Sequence, residues 1–206
     1  MTTRITKPKS KYKKCSFNDP FIYVADGALS KKFCKKVIKK FNNDDNTYQG
    51  VTGSGYSENV KKSLDLMISG LENWKEEDNI FFNSLNENYT NYLEHLNKNL
   101  KGVPLFPTEL FDTGYQIQRT DPGGFYIFHH DFNKVTIRYF TFLWYLNDVK
   151  NDGYTEFIDG TRVQPKAGRL LIFPATWTYI HRGYPPKDEV KYICTGWMSL
   201  NNKSGC

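Results

Sequence analysis

One aromatic stretch, residues 125–132, carries the side chains best suited to metal chemistry. Its Phe, Tyr and Ile content predicts a β-strand, because such side chains fit the pleated surface of a sheet. Side chains two positions apart on a strand point to the same face. His129 and Asp131 are therefore expected to project together, with His130 pointing away. An imidazole and a carboxylate side by side can serve as two ligands of a divalent metal ion.

A third ligand must come from elsewhere in the chain, which has four histidines. His181 is the candidate, because it follows another apolar run at residues 169–174. His95 lies in a predicted helix away from any partner and is interpreted as structural or exposed. Two histidines and one carboxylate form the ligand set of non-haem Fe(II) oxygenases, which leaves coordination positions open. The competing interpretation is a chance His-x-Asp, and a short motif alone does not decide between the two.

The composition indicates a globular protein. The chain has 206 residues, enough for one domain with a sizeable core. No apolar run is long enough to span a bilayer, and no apolar segment follows the basic N-terminus as it would in a secretory signal. The four cysteines form no C-x-x-C pair, so neither a disulfide framework nor a zinc–thiolate site is expected. A reducing compartment, and hence a cytoplasmic location, fits this usage.

The formal net charge of +6 belongs to the N-terminal tail. Six of the 28 basic residues lie within residues 1–14, which contain no acidic residue, and the other 22 balance the 22 acidic residues. We interpret residues 1–18 as a solvated, disordered tail. Contact of this tail with nucleic acid or an acidic partner is the less favoured alternative.

The N-terminal half of the chain has mainly helical patterns. A short strand at 21–24 precedes Ser30, which is expected to cap a helix whose apolar residues recur every three or four positions. Two further helices are predicted at 61–72 and 79–100. Residues 42–60 are rich in Asn, Asp, Gly and Ser and predict a loop, and a long loop in a compact domain is often a lid.

From residue 108 onward the pattern changes to closely spaced strands. Turn-forming residues separate apolar runs that predict strands at 115–119, 125–132, 135–146, 155–158, 168–173 and 190–200. Helices followed by antiparallel strands predict helices packed on a barrel of antiparallel strands. We expect a single α+β, mainly β domain over residues 19–206.

Over about residues 115–200 the sequence resembles the prolyl 4-hydroxylase branch of the Fe(II)- and 2-oxoglutarate-dependent oxygenases. The N-terminal strand, Asp26-Gly-Ala-Leu-Ser30 and the following helix also match, whereas residues 42–110 match only loosely. The C-terminal pieces that carry the resemblance are Gln116-Ile-Gln-Arg, Gly123-Gly-Phe-Tyr-Ile-Phe-His-His-Asp131, Arg138-Tyr-Phe-Thr-Phe-Leu-Trp-Tyr-Leu-Asn147, Gly153-Tyr-Thr-Glu-Phe157, Pro165-Lys-Ala-Gly-Arg-Leu-Leu-Ile-Phe-Pro174, His181 and Lys191.

The resemblance implies a double-stranded β-helix, or jelly-roll, core at about 108–202 supported by helices at about 28–103. It also implies that His129, Asp131 and His181 hold Fe(II). The implied cosubstrates are 2-oxoglutarate and O2, with ascorbate as a reductant to be tested. The reaction would convert 2-oxoglutarate to succinate and CO2 while a substrate C–H bond becomes C–OH.

The distal carboxylate of 2-oxoglutarate needs a cation, and in this family a lysine ten residues after the distal histidine supplies it. Lys191 occupies that position, and Lys187, in a Pro-Pro-Lys-Asp loop, is the competing candidate. Tyr145 and Thr155 match positions that hydrogen-bond the same carboxylate in relatives. Thr120 is a departure, because many relatives carry a tyrosine there.

On the substrate side, Tyr126, Arg138 and Trp197 align with residues that line the proline-binding opening in prolyl hydroxylases. Lys191 and Trp197 share parity on the last strand, so both can face the barrel interior. Arg138 and Tyr145 do not share parity, so either a bulge intervenes or one of them points away.

Three functional interpretations follow. The leading one is a dioxygenase resembling procollagen-proline 4-dioxygenases, which hydroxylates prolyl residues in a peptide or protein. The second is an oxygenase acting on a free amino acid, another side chain or a nucleobase. The third, from a different class, is a jelly-roll binding protein without turnover. The sequence leaves the substrate's identity and the oligomeric state open.

Overall fold

The computed structural model describes residues 13–14, 19–53, 55–101, 110–132 and 137–200, with side chains from residue 19 onward. The predicted tail, residues 1–18, lies outside the described residues except for Lys13–Lys14. These two residues pair with the strand Tyr23–Asp26. No helix in the described ranges is both long and apolar enough to cross a membrane.

The described helices are α1 (Lys31–Phe41) and α2 (Lys75–Asn99), the latter preceded by a 3₁₀ turn, Glu72–Trp74. The strands, in chain order, are β1 (Lys13–Lys14), β2 (Tyr23–Asp26), β3 (Tyr48–Gln49), β4 (Val51–Thr52), β5 (Gly55–Tyr56), β6 (Leu64–Met67), β7 (Phe111–Asp112), β8 (Gln116–Thr120), β9 (Tyr126–His129), β10 (Arg138–Tyr145), β11 (Thr155–Phe157), β12 (Arg162–Val163), β13 (Arg169–Pro174), β14 (His181–Gly183) and β15 (Lys191–Ser199).

Two antiparallel sheets account for most of these strands. The large sheet has the order β1-β2-β13-β10-β15-β8-β6-β3, with β7 added beside β15, and the small sheet has the order β12-β11-β14-β9. A separate hairpin joins β4 to β5. The described chain is therefore mainly β, with antiparallel sheets and few helices, which is consistent with the predicted jelly-roll core.

The side chains of strand β10 divide between the two faces of the large sheet. Phe142 and Trp144 point to the helices, where their rings contact Phe81 and Tyr115 in a buried aromatic cluster. Leu143, between them in sequence, belongs to a second cluster shared with the small sheet. Because successive side chains of a strand alternate between faces, one face of the sheet packs against the helices and the other faces the small sheet.

The N-terminal helix begins where the sequence predicts it. The Ser30 side chain accepts a hydrogen bond of 3.1 Å from the Phe33 amide, the usual role of a serine cap. Buried Phe33, Cys34, Val37 and Phe41 recur at three- and four-residue spacing and face the core.

The helix predicted at 61–72 is wrong. Leu64 is partly buried against the core, and Leu66 and Ile68 are fully buried in it, so apolar residues alternate with period two. That period belongs to a strand, and β6 pairs with β8 at the edge of the large sheet. The helical support expected over 28–103 is thus interrupted by β3 to β6, and the loop expected at 42–60 contains three short strands.

Candidate metal and cosubstrate site

His129, Asp131 and His181 form one cluster, with their ligand atoms within 4.8 Å of one another. The His129 Nε2 lies 3.8 Å from Asp131 Oδ1, and the His181 Nε2 lies 3.6 Å from Asp131 Oδ2. The two histidines are cross-strand partners of β9 and β14, in the small sheet. Strand β9 ends at His129, two residues short of Asp131, so the strand predicted over 125–132 is too long.

Main-chain carbonyls orient both imidazoles. The His129 Nδ1 lies 2.8 Å from the Ile127 carbonyl oxygen, and the His181 Nδ1 lies 3.0 Å from that of Tyr179. A proton on each Nδ1 satisfies these contacts and leaves each Nε2 lone pair directed at the cluster, as metal ligation requires.

The electrostatics suit ligation at neutral pH. Burial and the neighbouring His181 lower the pKa of His129 to about 4, so its imidazole is neutral. Burial alone would raise the pKa of Asp131, but the two imidazoles and a hydrogen bond from Thr141 lower it. A neutral imidazole and an ionised carboxylate are the protonation states that bind a divalent cation.

Lys191 supplies a cation inside the barrel. Its side chain is 5% exposed, and burial lowers its pKa to about 8. Among the described residues it has no carboxylate partner, although an isolated buried ammonium is costly. An anionic ligand such as the carboxylate of 2-oxoglutarate would satisfy this group. The competing Lys187 is exposed in its loop.

The two hydroxyls expected beside Lys191 lie in different places. Thr155 lines the same narrow cavity of about 80 Å³ as Lys191 and the metal ligands. Tyr145 is fully buried behind Thr155, with its hydroxyl 2.6 Å from Thr155 Oγ1 and 3.0 Å from the Val163 carbonyl oxygen. Tyr145 therefore supports Thr155 and does not line that cavity. Thr120, the departure from the family pattern, does line it.

A wider cavity of about 510 Å³ adjoins the narrow one and shares His129 and Asp131 with it. Tyr126, Arg138 and Trp197 all line this wide cavity. The Arg138 guanidinium carbon lies 3.6 Å from the Trp197 ring centroid, and the Tyr126 ring stacks on His129 with centroids 3.6 Å apart.

A register shift resolves the parity of Arg138. Strands β10 and β15 pair Arg138 with Ser199 but Phe140 with Met198, so two steps on β10 match one on β15. This bulge turns Arg138 to the cavity face, which Thr141 also occupies further along the strand. The first of the two alternatives left open by the sequence is therefore correct.

The sequence analysis did not predict a buried polar cluster beside the cavities, which consists of Lys61, Ser63 and Asp65. Lys61 and Asp65 form an ion pair that is 4% and 0% exposed, and Ser63 donates a 2.7 Å hydrogen bond to Asp65. Lys61 and Ser63 line the narrow cavity. They went unrecognised because the segment was assigned to a helix. The alternation of Leu64, Leu66 and Ile68 was the available signal.

The remaining histidines stay outside the ligand cluster. His130 is exposed at the edge of the wide cavity. His95 has its Nε2 2.8 Å from the Pro20 carbonyl oxygen, which agrees with the structural role expected for it.

The model of the 2OG-Fe(II) oxygenase superfamily matches residues 115–199. This match covers the segment that contributes all three members of the cluster together with Lys191. None of the curated protein sequences shows significant similarity to the chain.

Solved structures of prolyl hydroxylases share the fold at low sequence identity. A prolyl hydroxylase from Trichoplax adhaerens, in complex with a hypoxia-inducible-factor peptide fragment, has a TM-score of 0.69 at 18% identity, covering 88% of this chain and 84% of its own. A Pseudomonas putida prolyl-4-hydroxylase has a TM-score of 0.64 at 17% identity, covering 87% and 93%. A viral collagen prolyl hydroxylase from Paramecium Bursaria Chlorella virus-1, in its 2OG complex, has a TM-score of 0.61 at 18% identity, covering 88% and 97%.

Residues 115–199 thus resemble the 2OG-Fe(II) oxygenase superfamily. In its fold, the chain resembles solved prolyl hydroxylases.

Proposed function

We propose that the protein is an Fe(II)- and 2-oxoglutarate-dependent dioxygenase that hydroxylates prolyl residues in a peptide or protein. The observation that carries this proposal is the position of the ligand cluster. It lies where a narrow cavity meets a wide cavity lined by aromatic rings, and the narrow cavity contains Lys191, which has no carboxylate partner among the described residues.

The donor set fits the implied metal, because two imidazole nitrogens and one carboxylate leave coordination positions open for the cosubstrates. In this proposal His129, Asp131 and His181 hold Fe(II). Bound there with 2-oxoglutarate, Fe(II) would supply the activation of O2 that C–H hydroxylation needs.

The narrow cavity would orient 2-oxoglutarate. Lys191 pairs with the distal carboxylate, and Thr155, itself held by Tyr145, donates a hydrogen bond to it. Of the predicted pair of hydroxyls, Thr155 lines the narrow cavity and would make the direct contact. Burial of this pocket keeps bulk water away from the reacting atoms.

The wide cavity would hold the prolyl residue. The rings of Tyr126 and Trp197 offer apolar surface for the pyrrolidine, and Arg138 offers guanidinium donors for a main-chain carbonyl. The Arg138 Nε has no partner among the described residues, which leaves a buried donor for a substrate acceptor. The named activities of the structural relatives support the same class of substrate.

Within the loop predicted at 42–60 as a lid, we propose that the β4–β5 hairpin has that role. Val51, Thr52 and Gly53 line the wide cavity, and β4 and β5 form a two-stranded sheet separate from the large one. In this proposal the hairpin covers the bound peptide during turnover. If replacing residues 51–56 with a short glycine linker left both the peptide KM and the uncoupled turnover unchanged, this role would be wrong.

Mass spectrometry tests the function directly. The protein is incubated with Fe(II), 2-oxoglutarate, ascorbate and O2, with prolyl peptides, matched alanine peptides and free proline as substrates. We expect a gain of one oxygen on the prolyl peptides only, abolished by His129→Ala and retained by the control His95→Gln, which lies on α2 away from the site.

Other outcomes separate the alternatives. Succinate formation without oxygen gain on any proline substrate would keep the oxygenase and reject the prolyl substrate. If Asp131→Ala changed stability but no succinate formed even with the unsubstituted protein, a binding protein without turnover would remain.

A further inference from the structure

We infer that the cavity face of the large sheet continues outward across β8, β6 and β3 as a subsite for an extended peptide segment flanking the target residue. This inference rests on the proposed function and deepens it, because it excludes free proline and very short peptides as efficient substrates. The subsite is built from Gln118, Gln116 and Tyr48.

Cross-strand pairing places these side chains on the face that holds the site. Ile193 on β15 pairs with Gln118 on β8, Gln118 pairs with Asp65 on β6, and Asp65 pairs with Tyr48 on β3. Ile193 and Gln118 both line the narrow cavity, so the row starts beside the cosubstrate site. Directly opposed residues share a face, and the same face therefore runs three strands outward from β15. Asp65 is buried in its ion pair with Lys61, so the accessible polar groups of this face are those of Gln118, Gln116 and Tyr48.

A chain of side-chain hydrogen bonds connects the row. The Gln118 amide donates to Gln116 Oε1 at 2.7 Å, and the Gln116 amide donates to the Tyr48 hydroxyl at 2.8 Å. Gln116 and Gln118 line the wide cavity, and Tyr48 lies beyond it, 36% exposed. The three polar groups are thus held in fixed orientation by one another and stay accessible.

The orientation of this chain leaves specific groups free. Gln118 Oε1 has no partner within the described ranges, and neither does the Tyr48 hydroxyl proton. The inner end therefore offers an acceptor and the outer end a donor, with further amide protons between them. An extended peptide presents main-chain N–H and C=O groups in alternation, so it can satisfy these groups regardless of its side chains.

The size of the face sets a length for the peptide. Adjacent strands lie about 4.8 Å apart, so the path from β15 to β3 is about 14 Å. An extended chain advances about 3.3 Å per residue, so the path accommodates about four residues. Val51 and Thr52 of the β4–β5 hairpin line the wide cavity together with Gln116 and Gln118, and so border the path of the peptide.

Binding of peptides of different length tests this. The full chain, loaded anaerobically with Fe(II) and 2-oxoglutarate, is titrated with fluorescent peptides that carry one central proline and four alanine residues on both sides, on the N-terminal side only, or on the C-terminal side only. We expect one of the two truncations to weaken binding about tenfold, as expected for the loss of one or two net hydrogen bonds.

Variants connect that effect to the subsite. Gln116→Met keeps the side-chain length and removes the hydrogen bonds to Gln118 and Tyr48. The ratio between the dissociation constants of the two truncated peptides should therefore fall towards one. Gln49→Met is the matched control, because Gln49 neighbours Tyr48 on β3 and points to the opposite face. Tyr48→Phe removes only the outer hydroxyl. It provides a second test of the same peptide-binding ratio if Gln116→Met lowers the melting temperature.

The outcomes separate this inference from the proposed function. The subsite would be overturned if all three peptides bound equally or if none bound. It would also be overturned if Gln116→Met left the ratio of the two truncated peptides' dissociation constants unchanged. If binding depended on peptide length but aerobic turnover added no oxygen to proline, the subsite would be supported and the proposed prolyl hydroxylation would be rejected.

Discussion

Thr141 donates a hydrogen bond of 2.6 Å to Asp131 Oδ2, the carboxylate oxygen nearest the His181 Nε2. Both partners are buried, and Thr141 lies on the face of β10 that points to the site. The bond fixes the rotation of the carboxylate and thereby decides which oxygen is left to point at the metal position. Supporting contacts of this kind commonly tune metal affinity.

Thr141→Val should therefore weaken metal binding. The substitution keeps the shape and removes the donor, and we expect a loss of about tenfold to a hundredfold in affinity. Titration with Co(II), followed by its visible absorption, measures this. Thr90→Val on the exposed side of α2 is the control and should leave the affinity unaltered. Equal affinities for Thr141→Val and the unsubstituted protein would show that the carboxylate is positioned without this bond.

Lys191→Met should separate stability from cosubstrate binding. Lys191 has no carboxylate partner in the described part of the chain, so removal of its buried ammonium is expected to raise the melting temperature of the protein without 2-oxoglutarate. The same change should raise the KM for 2-oxoglutarate by at least tenfold, since the carboxylate loses its cation. Calorimetry and succinate assays measure the two effects. A melting temperature that falls would mean that Lys191 has a stabilising partner in the folded state.

The lowered pKa of Lys191 predicts a pH dependence. Burial lowers this pKa from 10.5 to about 8, so the folded state disfavours the charged form. The free energy of unfolding contributed by this group should rise as the pH increases from 8 to 10.5, where only the unfolded chain holds the proton. Over the same window 2-oxoglutarate binding should weaken about tenfold per pH unit, because binding needs the ammonium. Calorimetric titrations at pH 7, 8 and 9 test this, and Lys191→Met should show no such dependence.

Arg138→Lys should reduce coupling of 2-oxoglutarate decarboxylation to hydroxylation. A lysine keeps the charge but loses the planar stack on Trp197 and the fork of donors. We expect the ratio of hydroxylated peptide to succinate to fall about tenfold. Parallel mass spectrometry and succinate assays give this ratio, with Arg162→Lys on the outer side of the small sheet as the control. A ratio equal to that of the unsubstituted protein would assign Arg138 to structure alone.

Glu156→Gln should destabilise the small sheet in a pH-dependent way. Glu156 is 5% exposed and accepts hydrogen bonds of 2.7 Å from Arg162 and 2.6 Å from Arg182. Burial opposes ionisation of this carboxyl, but the two arginines lower its pKa below 4.5. The stabilisation is thus present above pH 4.5 and is lost as the pH falls through the lowered pKa. Urea unfolding should show a loss of about 1–2 kcal/mol at pH 7, and a difference that persists unchanged at pH 3 would contradict the ionic origin.

The sequence predicted the cluster of His129, Asp131 and His181 because its pattern is local or repeats a known order. His129 and Asp131 are two residues apart, and His181 follows the apolar strand β13. The pairing of His181 with His129 across β14 and β9 is a long-range contact that no local pattern contains. Only the resemblance to a known family made that contact predictable.

The failures have local physical causes. The segment at 61–72 has apolar residues that fit both a helical and a period-two pattern, and the helical interpretation hides the ion pair of Lys61 and Asp65. The parity of Arg138 depended on a bulge, which shifts a register by one residue without leaving a clear sequence signal. Tyr145 has the predicted parity, but its hydroxyl is used by Thr155 and Val163, a detail of packing that spacing does not report.

The alternation along β10 and its neighbours has a consequence for how this protein could change. Side chains that pack against the helices and side chains that face the cavities occupy different positions on the same strands. Gln116 and Gln118 can therefore be exchanged without altering the aromatic contacts of Phe142 and Trp144 on the opposite face. In the proposed function, libraries restricted to the polar positions that line the cavities should therefore yield new specificities in proteins that still fold.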